Sequence, residues 1–307
     1  MDTRRRYAVI DLGTNSVKFH IGERDAAGRW LRVLDRAEVT RLGEGLRESG
    51  EIAPTAWERT LLAIRDMAAD ARAAGVSQIV ALGTMGMRNA RNSGAFIAAV
   101  RAQCGVTIEV IDGAQEGRLA YLAVQAGVGL PEGAVTVFDT GGGSTQITIG
   151  KAGQVLERFS VDVGAVRFTE QFGLDGVVGR ESLDAARAAI AHDLSRLDGA
   201  AAPDALVGMG GAVTNLAAVS LGLTRYDPDL IQGAILTAAE VERQIVLYAG
   251  LASEARRAIP GLQPGRADVI LAGACIVRTL MAKLGQERLA VSDRGLRHGV
   301  LIDRFSA

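Results

Sequence analysis

The chain has 307 residues, long for one domain and comfortable for two; 48% are hydrophobic and only 22% charged, so it builds real cores and is not disordered. Its net charge of −1 excludes a global field for nucleic acid or acidic membranes. Two cysteines, Cys104 and Cys275, cannot make a disulfide framework, and neither belongs to a CxxC motif.

The start, Met1-Asp2-Thr3-Arg4-Arg5-Arg6, leads into a charged strand pattern rather than the apolar core of a signal peptide, and a soluble cytoplasmic protein is expected. Tyr7–Asp11 reads as a strand, Leu12–Ser16 as a turn, and Val17–Gly22 as a second strand with Val17, Phe19 and Ile21 alternating against Lys18 and His20. Trp30–Val39 gives a third strand. Ala56–Ala74 carries helical spacing after Pro54 and stops at Gly75. Gln78–Gly83 is a strand, Asn92–Gln103 a helix, Val106–Ile111 a strand and Ala114–Ala126 a helix.

The order then restarts. Strands at Val135–Asp139, Gln146–Gly150 and Val155–Phe159 precede helices at Ala165–Phe172 and Glu181–Leu197. Asp204–Gly208 is a strand and Ala212–Leu221 a helix. Helices follow at Ala238–Leu251 and Ala267–Leu284, then a strand at Leu289–Ser292 and a closing helix at Leu296–Phe305. The uncharged stretch from Ala205 to Thr224 has the length of a membrane span, but its glycines and strand-like start fit a strand, a glycine turn and a buried helix better.

The restart is an internal repeat. Asp11-Leu-Gly13-Thr-Asn15-Ser16 matches Asp139-Thr-Gly141-Gly-Gly143-Ser144 as Asp-x-Gly-x-x-Ser, each at the end of an apolar strand and before an alternating one. Glycines let backbone N–H groups approach an anion closely, Ser144 and Thr145 add hydroxyls, and Asp139 stands where it could hold a hydrated Mg²⁺. A Gly-rich hairpin without a ligand fits the same residues. Two such hairpins point to two α/β domains facing each other across a cleft, with a boundary near Gly127, Gly129, Pro131 and Gly133. There is no GxxxxGK[ST] motif. Gly208-Met209-Gly210-Gly211-Ala212-Val213 begins like a dinucleotide fingerprint but lacks its sixth residue and an acidic ribose ligand about twenty residues on. His20, His192 and His298 are scattered without zinc-ligand spacing, which fits surface or locally hydrogen-bonded roles.

The finer text resembles a known family. Ile10–Ser16, Arg41–Leu46, Gly83–Ala90, Gly113–Leu119 and Phe138–Thr145 stand in the same order as motifs of the Ppx/GppA exopolyphosphatase and guanosine pentaphosphate phosphohydrolase family, as do Asp162–Arg167, Gly208–Thr214, Arg266–Ile270 and Ser292–Arg297. That family lies within the actin and sugar-kinase superfamily. The resemblance implies two actin-like (ribonuclease H-like) domains, residues 1–126 with a C-terminal helix at about 293–307, and residues 127–292. It implies a hydrolase dependent on Mg²⁺ or Mn²⁺ that releases terminal phosphate from polyphosphate, or the 5′-phosphate of pppGpp, and a possible homodimer.

The same resemblance implies the site residues. Glu116 would be the catalytic glutamate and Arg88 the phosphate-gripping arginine, where a helix-start carboxylate and a solvated loop arginine are the plain alternatives. Asn15, Ser16, Gly141, Gly142, Gly143 and Ser144 would bind phosphate, with Gly210, Gly211 and Thr214 at a second turn. Asp139 would hold the metal, with Gln146 and Asp11 as weaker candidates. Three departures stand out. Gln146 replaces the usual glutamate, so the metal should bind more weakly; His298 replaces a carboxylate; and Gly86 replaces a small polar residue or alanine. Gln146 also motivates a binding regulator of polyphosphate or (p)ppGpp with weak turnover. A sugar or acetate kinase is the third alternative.

Overall fold

The computed structural model describes residues 5–129, 132–152 and 154–306. Met1–Arg4 and the expected linker residue Pro131 lie outside the described residues. The chain divides into two compact units: one runs to Leu122 and takes back the stretch from Leu296, and the other is Ala123–Gly295.

The first unit holds a five-stranded sheet. Strands β1 (Arg5–Leu12), β2 (Ser16–Arg24) and β3 (Trp30–Val39) form an antiparallel meander, and β4 (Gln78–Gly83) and β5 (Ile108–Val110) run parallel to β1, in the order β3-β2-β1-β4-β5. Helices α1 (Leu46–Ser49), α2 (Pro54–Ala73), α3 (Met85–Asn89), α4 (Ser93–Cys104) and α5 (Gly113–Gly127) connect them. Strand alternation assigns the two faces. Ala8, Ile10, Leu12, Val17, Phe19 and Ile21 pack with Ile64 and Met67 of α2 and Phe96 and Val100 of α4.

The second unit repeats the plan. β6 (Ala134–Thr140), β7 (Thr145–Lys151) and β8 (Gln154–Val161) form the meander. After α6 (Ala165–Phe172), α7 (Arg180–Asp193) and a 3-10 turn at Ser195–Leu197, β9 (Ala205–Met209) lies parallel to β6. Then come α8 (Gly211–Ser220), α9 (Pro228–Ile231), β10 (Ile235–Thr237), α10 (Ala238–Ala249), α11 (Ser253–Arg256), α12 (Ile270–Lys283) and β11 (Arg288–Ser292). The order is β10-β11-β9-β6-β7-β8, the first sheet's order read from the other end, with β10 added antiparallel. The uncharged Ala205–Thr224 stretch is β9, a turn and α8, whose residues Ala212–Val219 are all buried. Among the described residues no helix is long and apolar enough to cross a membrane.

The last helix, α13 (Leu296–Phe305), belongs to the first unit. Its Leu296, Val300 and Leu301 cover Val9, Leu82, Ile111 and Leu119 on the sheet face opposite α2. Gly299 is obligatory there, because a Cβ would press into the Leu119 backbone, 2.7 Å from its carbonyl carbon.

Three expectations differ in detail. The helix expected over Glu181–Leu197 ends at Asp193 and finishes as the 3-10 turn. The helix expected from Ala267 starts at Ile270, after a single 3-10 turn at Pro264–Arg266. The four-residue helices α1, α9 and α11, the five-residue α3 and the three-residue β10 were not foreseen, being too short to show a hydrophobic period.

Candidate functional site

In the first unit the β1–β2 turn closes with the Gly13 N–H donating to the Ser16 carbonyl at 3.1 Å. The Arg41–Gly43 segment pins its outer side: Arg41 N–H donates to the Asn15 carbonyl at 2.9 Å and Gly43 N–H to the Thr14 carbonyl at 2.8 Å. In a trans peptide the N–H points opposite its carbonyl, so the N–H groups of Asn15 and Ser16 are aimed away from that segment. Gly43 allows the approach, since a Cβ there would overlap the Thr14 side chain. The Asn15 amide is 3% exposed, yet neither its Nδ2 nor its Oδ1 has a hydrogen-bond partner. Burying such a group without a partner costs on the order of 1–3 kcal/mol, a cost that a bound polar ligand would remove.

The turn carries the catalytic candidates with it. Thr84, at the end of β4, donates from N–H and Oγ1 to the Leu12 carbonyl at 3.2 and 3.1 Å, which fixes the start of α3 beside β1. Arg88 on α3 donates from Nη1 to the Ile111 carbonyl at 2.7 Å and to Glu116 Oε2 at 3.1 Å. Glu116 sits in the first turn of α5, where the helix dipole favours a carboxylate, and Asp112 caps that turn by accepting the Gln115 N–H at 2.7 Å. Arg88 and Glu116, 28 residues apart, therefore form one partly buried pair. Asp11 lies 3.7 Å from the Lys18 ammonium across the β1–β2 pair, so an internal cation already neighbours this metal candidate.

The second unit rebuilds the same turn. Gly141 N–H donates to the Ser144 carbonyl at 2.9 Å, the counterpart of Gly13 and Ser16. Here the outer side is pinned by the start of α6, where Ala165 N–H donates to the Gly141 carbonyl at 3.0 Å and Val166 N–H to the Gly142 carbonyl at 2.8 Å. Those bonds satisfy helix-start donors that would otherwise lack partners, and they aim the N–H groups of Gly142 and Gly143 to the other side. Ser144 is buried at the turn's end, and Gln146 Nε2 donates to its Oγ at 2.7 Å and to Ser160 Oγ at 3.2 Å. As acceptor from Gln146, the Ser144 hydroxyl keeps its own proton to donate.

The β9–α8 turn closes on the same strand end. Gly210 adopts φ 91° and ψ 167°, and a Cβ there would overlap the Asp139 Oδ1 and sit 2.6 Å from the Thr140 carbonyl oxygen. Asp139 thus rests directly on Gly210 at the start of α8. Thr214, a phosphate-binding candidate, instead donates its hydroxyl to the Gly210 carbonyl at 3.2 Å, within its own helix. The Arg266 guanidinium lies against Gly211, its atoms 2.6–2.9 Å from where a Cβ would stand. Burial pulls Arg266 below the ordinary arginine range, against the opposing pull of Tyr226, Asp268 and Asp139. Arg266 was not singled out as a site residue from the sequence, although its motif was. Buried Arg256 holds the neighbouring chain in place by donating to the carbonyls of Tyr248, Leu174, Gly176 and, at 3.2 Å, Ala267.

Two histidines are not scattered. His20 and His298 lie with ring centroids 4.5 Å apart and planes tilted by 52°, and both face Asp35. Burial alone would raise the Asp35 carboxyl, but Arg297 above all, then His20 and His298, hold it far below the usual carboxylate range. His192 is exposed at the end of α7.

Doubled Asp-x-Gly-x-x-Ser turns on matching sheets narrow the family, and comparison with known proteins decides it. The Ppx/GppA phosphatase family model matches residues 21–306. The chain belongs to the Ppx/GppA phosphatase family. Exopolyphosphatase 2 of Mycobacterium tuberculosis is 30% identical, with 97% of this chain and 98% of the relative covered. The crystal structure of the Aquifex aeolicus family member superposes with a TM-score of 0.82 at 33% identity, covering 98% of this chain and 97% of its own. An exopolyphosphatase-like protein superposes with a TM-score of 0.90 at 27% identity, over 98% and 97% of the two chains. The mixed α/β architecture with two sheets is that of these Ppx/GppA structures.

Proposed function

We propose that this Ppx/GppA chain hydrolyses the terminal phosphoanhydride bond of inorganic polyphosphate. The observation that carries the reading is the doubled turn, in which carbonyls are tied back on one side so that N–H groups and a hydroxyl are presented on the other. That is a donor array for phosphate oxygens. Asn15 adds a buried amide whose donor and acceptor both lack partners.

In this reading water attacks the terminal phosphorus, the bridging P–O bond breaks, and the shortened chain leaves with the electron pair. Glu116 orients the water and accepts its proton. Arg88, whose planar fork suits phosphate, turns from Glu116 toward the transferring group when substrate arrives. The phosphate-donor candidates are Asn15 and Ser16 in the first unit and, in the second, Gly142, Gly143 and Ser144, with Arg266 and the start of α8 at Gly210 and Gly211 as that unit's further anion seat.

A divalent cation fits the donors at Asp139. One carboxylate, with the neutral Gln146 opposite it in the β6–β7 register, suits a cation that keeps waters and takes phosphate oxygens as ligands, which is the habit of Mg²⁺. Mn²⁺ accepts the same donors. When bound, the cation would neutralise charge on the phosphate oxygens; Gln146 contributes no charge to it. The same donor set suits the 5′-phosphate of pppGpp.

The test is phosphate release from long-chain polyphosphate and, side by side, from pppGpp, with Mg²⁺ and Mn²⁺ titrated. Release from polyphosphate is expected. Folded protein that releases phosphate from neither substrate would overturn the reading, and tight polyphosphate or (p)ppGpp binding without release would replace it by the regulatory one that Gln146 motivates.

A further inference from the structure

His20 and Asp35 are direct partners in the β2–β3 register, so their side chains stand side by side on one sheet face. α13 delivers His298 and Arg297 to that same face. His20 Nδ1 lies 3.0 Å from Asp35 Oδ2, and His298 Nε2 lies 3.6 Å from the same oxygen. One ligand atom from each of the three residues lies within 4.8 Å of the others, and among the described residues this is the one such group of three. Arg297 donates from Nε to Asp35 Oδ1 at 3.0 Å and from Nη2 to Oδ2 at 3.1 Å, fixing the carboxylate's orientation.

We propose that His20, His298 and Asp35 form a binding site for one transition-metal dication of the Zn²⁺ class, distinct from any cation at Asp139. Bonds of about 2.0–2.2 Å to imidazole nitrogen and carboxylate oxygen place tetrahedral ligand atoms about 3.3 Å apart. The observed 3.0 and 3.6 Å separations straddle that spacing. Three protein ligands leave a fourth position for water. Two imidazoles select Zn²⁺, Co²⁺ or Ni²⁺ over Mg²⁺, which prefers oxygen. Arg297 then plays the outer part that orients a ligating carboxylate. The plain alternative is a metal-free cluster in which His20 donates a proton from Nδ1 to Asp35. Metal binding at Nδ1 replaces that hydrogen bond, the neutral ring then carrying its proton on Nε2. The side chains of His298 and Asp35 are 16% and 14% exposed and that of His20 only 4%, so the ion would enter past His298 and Asp35.

A bound ion would staple α13, the last helix, to the sheet of the first unit through residues from three elements. The chelated full-length protein should be titrated with Co²⁺ and Zn²⁺ in excess Mg²⁺. One Co²⁺ per chain is expected, with the visible absorption of a four- or five-coordinate ion, and Zn²⁺ should raise the thermal midpoint. H298Q should weaken Co²⁺ binding by at least about tenfold and abolish the Zn²⁺-induced rise, while D139N leaves both unchanged. H20Q, at the buried ligand, provides a second variant, with circular dichroism reporting its fold. Absence of stoichiometric Co²⁺ or Zn²⁺ binding to the wild type would overturn the proposal, as would binding that persists at full strength in H298Q.

Discussion

Gly210→Ala tests the link between backbone and metal candidate. At φ 91° and ψ 167° Gly210 occupies a region that is essentially glycine's alone, and holding alanine there costs on the order of 1–3 kcal/mol. The added methyl also meets the Asp139 carboxylate and the Thr140 carbonyl oxygen at 2.6 Å, so either α8 or the end of β6 must shift. Strain of about 1–3 kcal/mol and overpacking of about 1–3 kcal/mol, less the roughly 0.4–1 kcal/mol returned by the reduced freedom of the unfolded chain, leave a net destabilisation of about 3 kcal/mol. For a unit of this size that lowers the thermal midpoint by about 6–12 °C. Gly45→Ala is the control. Gly45 has φ 65° with nothing within 4 Å of its Cβ position, so it should lose only about 1 kcal/mol. Urea unfolding and Mg²⁺-dependent phosphate release are the two assays. The Gly210 variant should need more Mg²⁺ for half-maximal rate, because Asp139 is displaced. Equal stability of the two variants together with an unshifted Mg²⁺ midpoint would refute the placement of Asp139 on the α8 turn.

Other residues make separate predictions. Glu116→Gln should lower turnover by about 10²–10⁴-fold while costing no more than about 1–2 kcal/mol of stability, since a Gln oxygen can still accept from Arg88 Nη1 in this partly buried pair; rate and urea midpoint check both. Gly86→Ala should stabilise the protein by about 0.5–1 kcal/mol, because Gly86 lies within α3 and a Cβ would meet Thr14 and Leu42 at an ordinary 3.5–3.8 Å. Burial pushes the Cys275 thiol up to about 11, so iodoacetamide at pH 8 should label it only after unfolding. A thiol raised in this way favours the fold below its unfolded value of about 8.5, and the contribution fades as pH rises through 11. Gln146→Glu should lower the Mg²⁺ concentration for half-maximal rate by roughly tenfold through one added charge near Asp139; an unmoved midpoint would separate Gln146 from the cation.

Long elements were legible because their period is local: α2, α10, both meanders and the closing helix appear where the alternation of apolar residues placed them. The doubled turn was legible as a repeat of six residues, and it recurs as the same Gly-to-Ser hydrogen bond in both units. What stayed hidden depends on distant segments meeting. Asp35 and Arg297 are 262 residues apart, so the His20–His298–Asp35 group has no spacing to read. Arg266 reaches Gly211 only because the chain after α11 is anchored by buried Arg256. Asn15 stood among the phosphate-binding candidates, but that its amide is buried without partners shows only in the fold.

The repeat also explains how one turn can take two roles. In both units the aspartate next to the end of the first strand faces one residue across the antiparallel pair: Lys18 opposite Asp11, and Gln146 opposite Asp139. The backbone at the two positions is equivalent, so the difference is one of charge. Lys18 places an ammonium 3.7 Å from Asp11 and competes with any metal there. Gln146 places no charge beside Asp139 and spends its amide hydrogens on Ser144 and Ser160, which leaves the Ser144 proton for an anion. The cross-strand position therefore gives Asp11 an ammonium and Asp139 a neutral amide, while the Arg266 guanidinium acts on Asp139 from the side of the α8 turn.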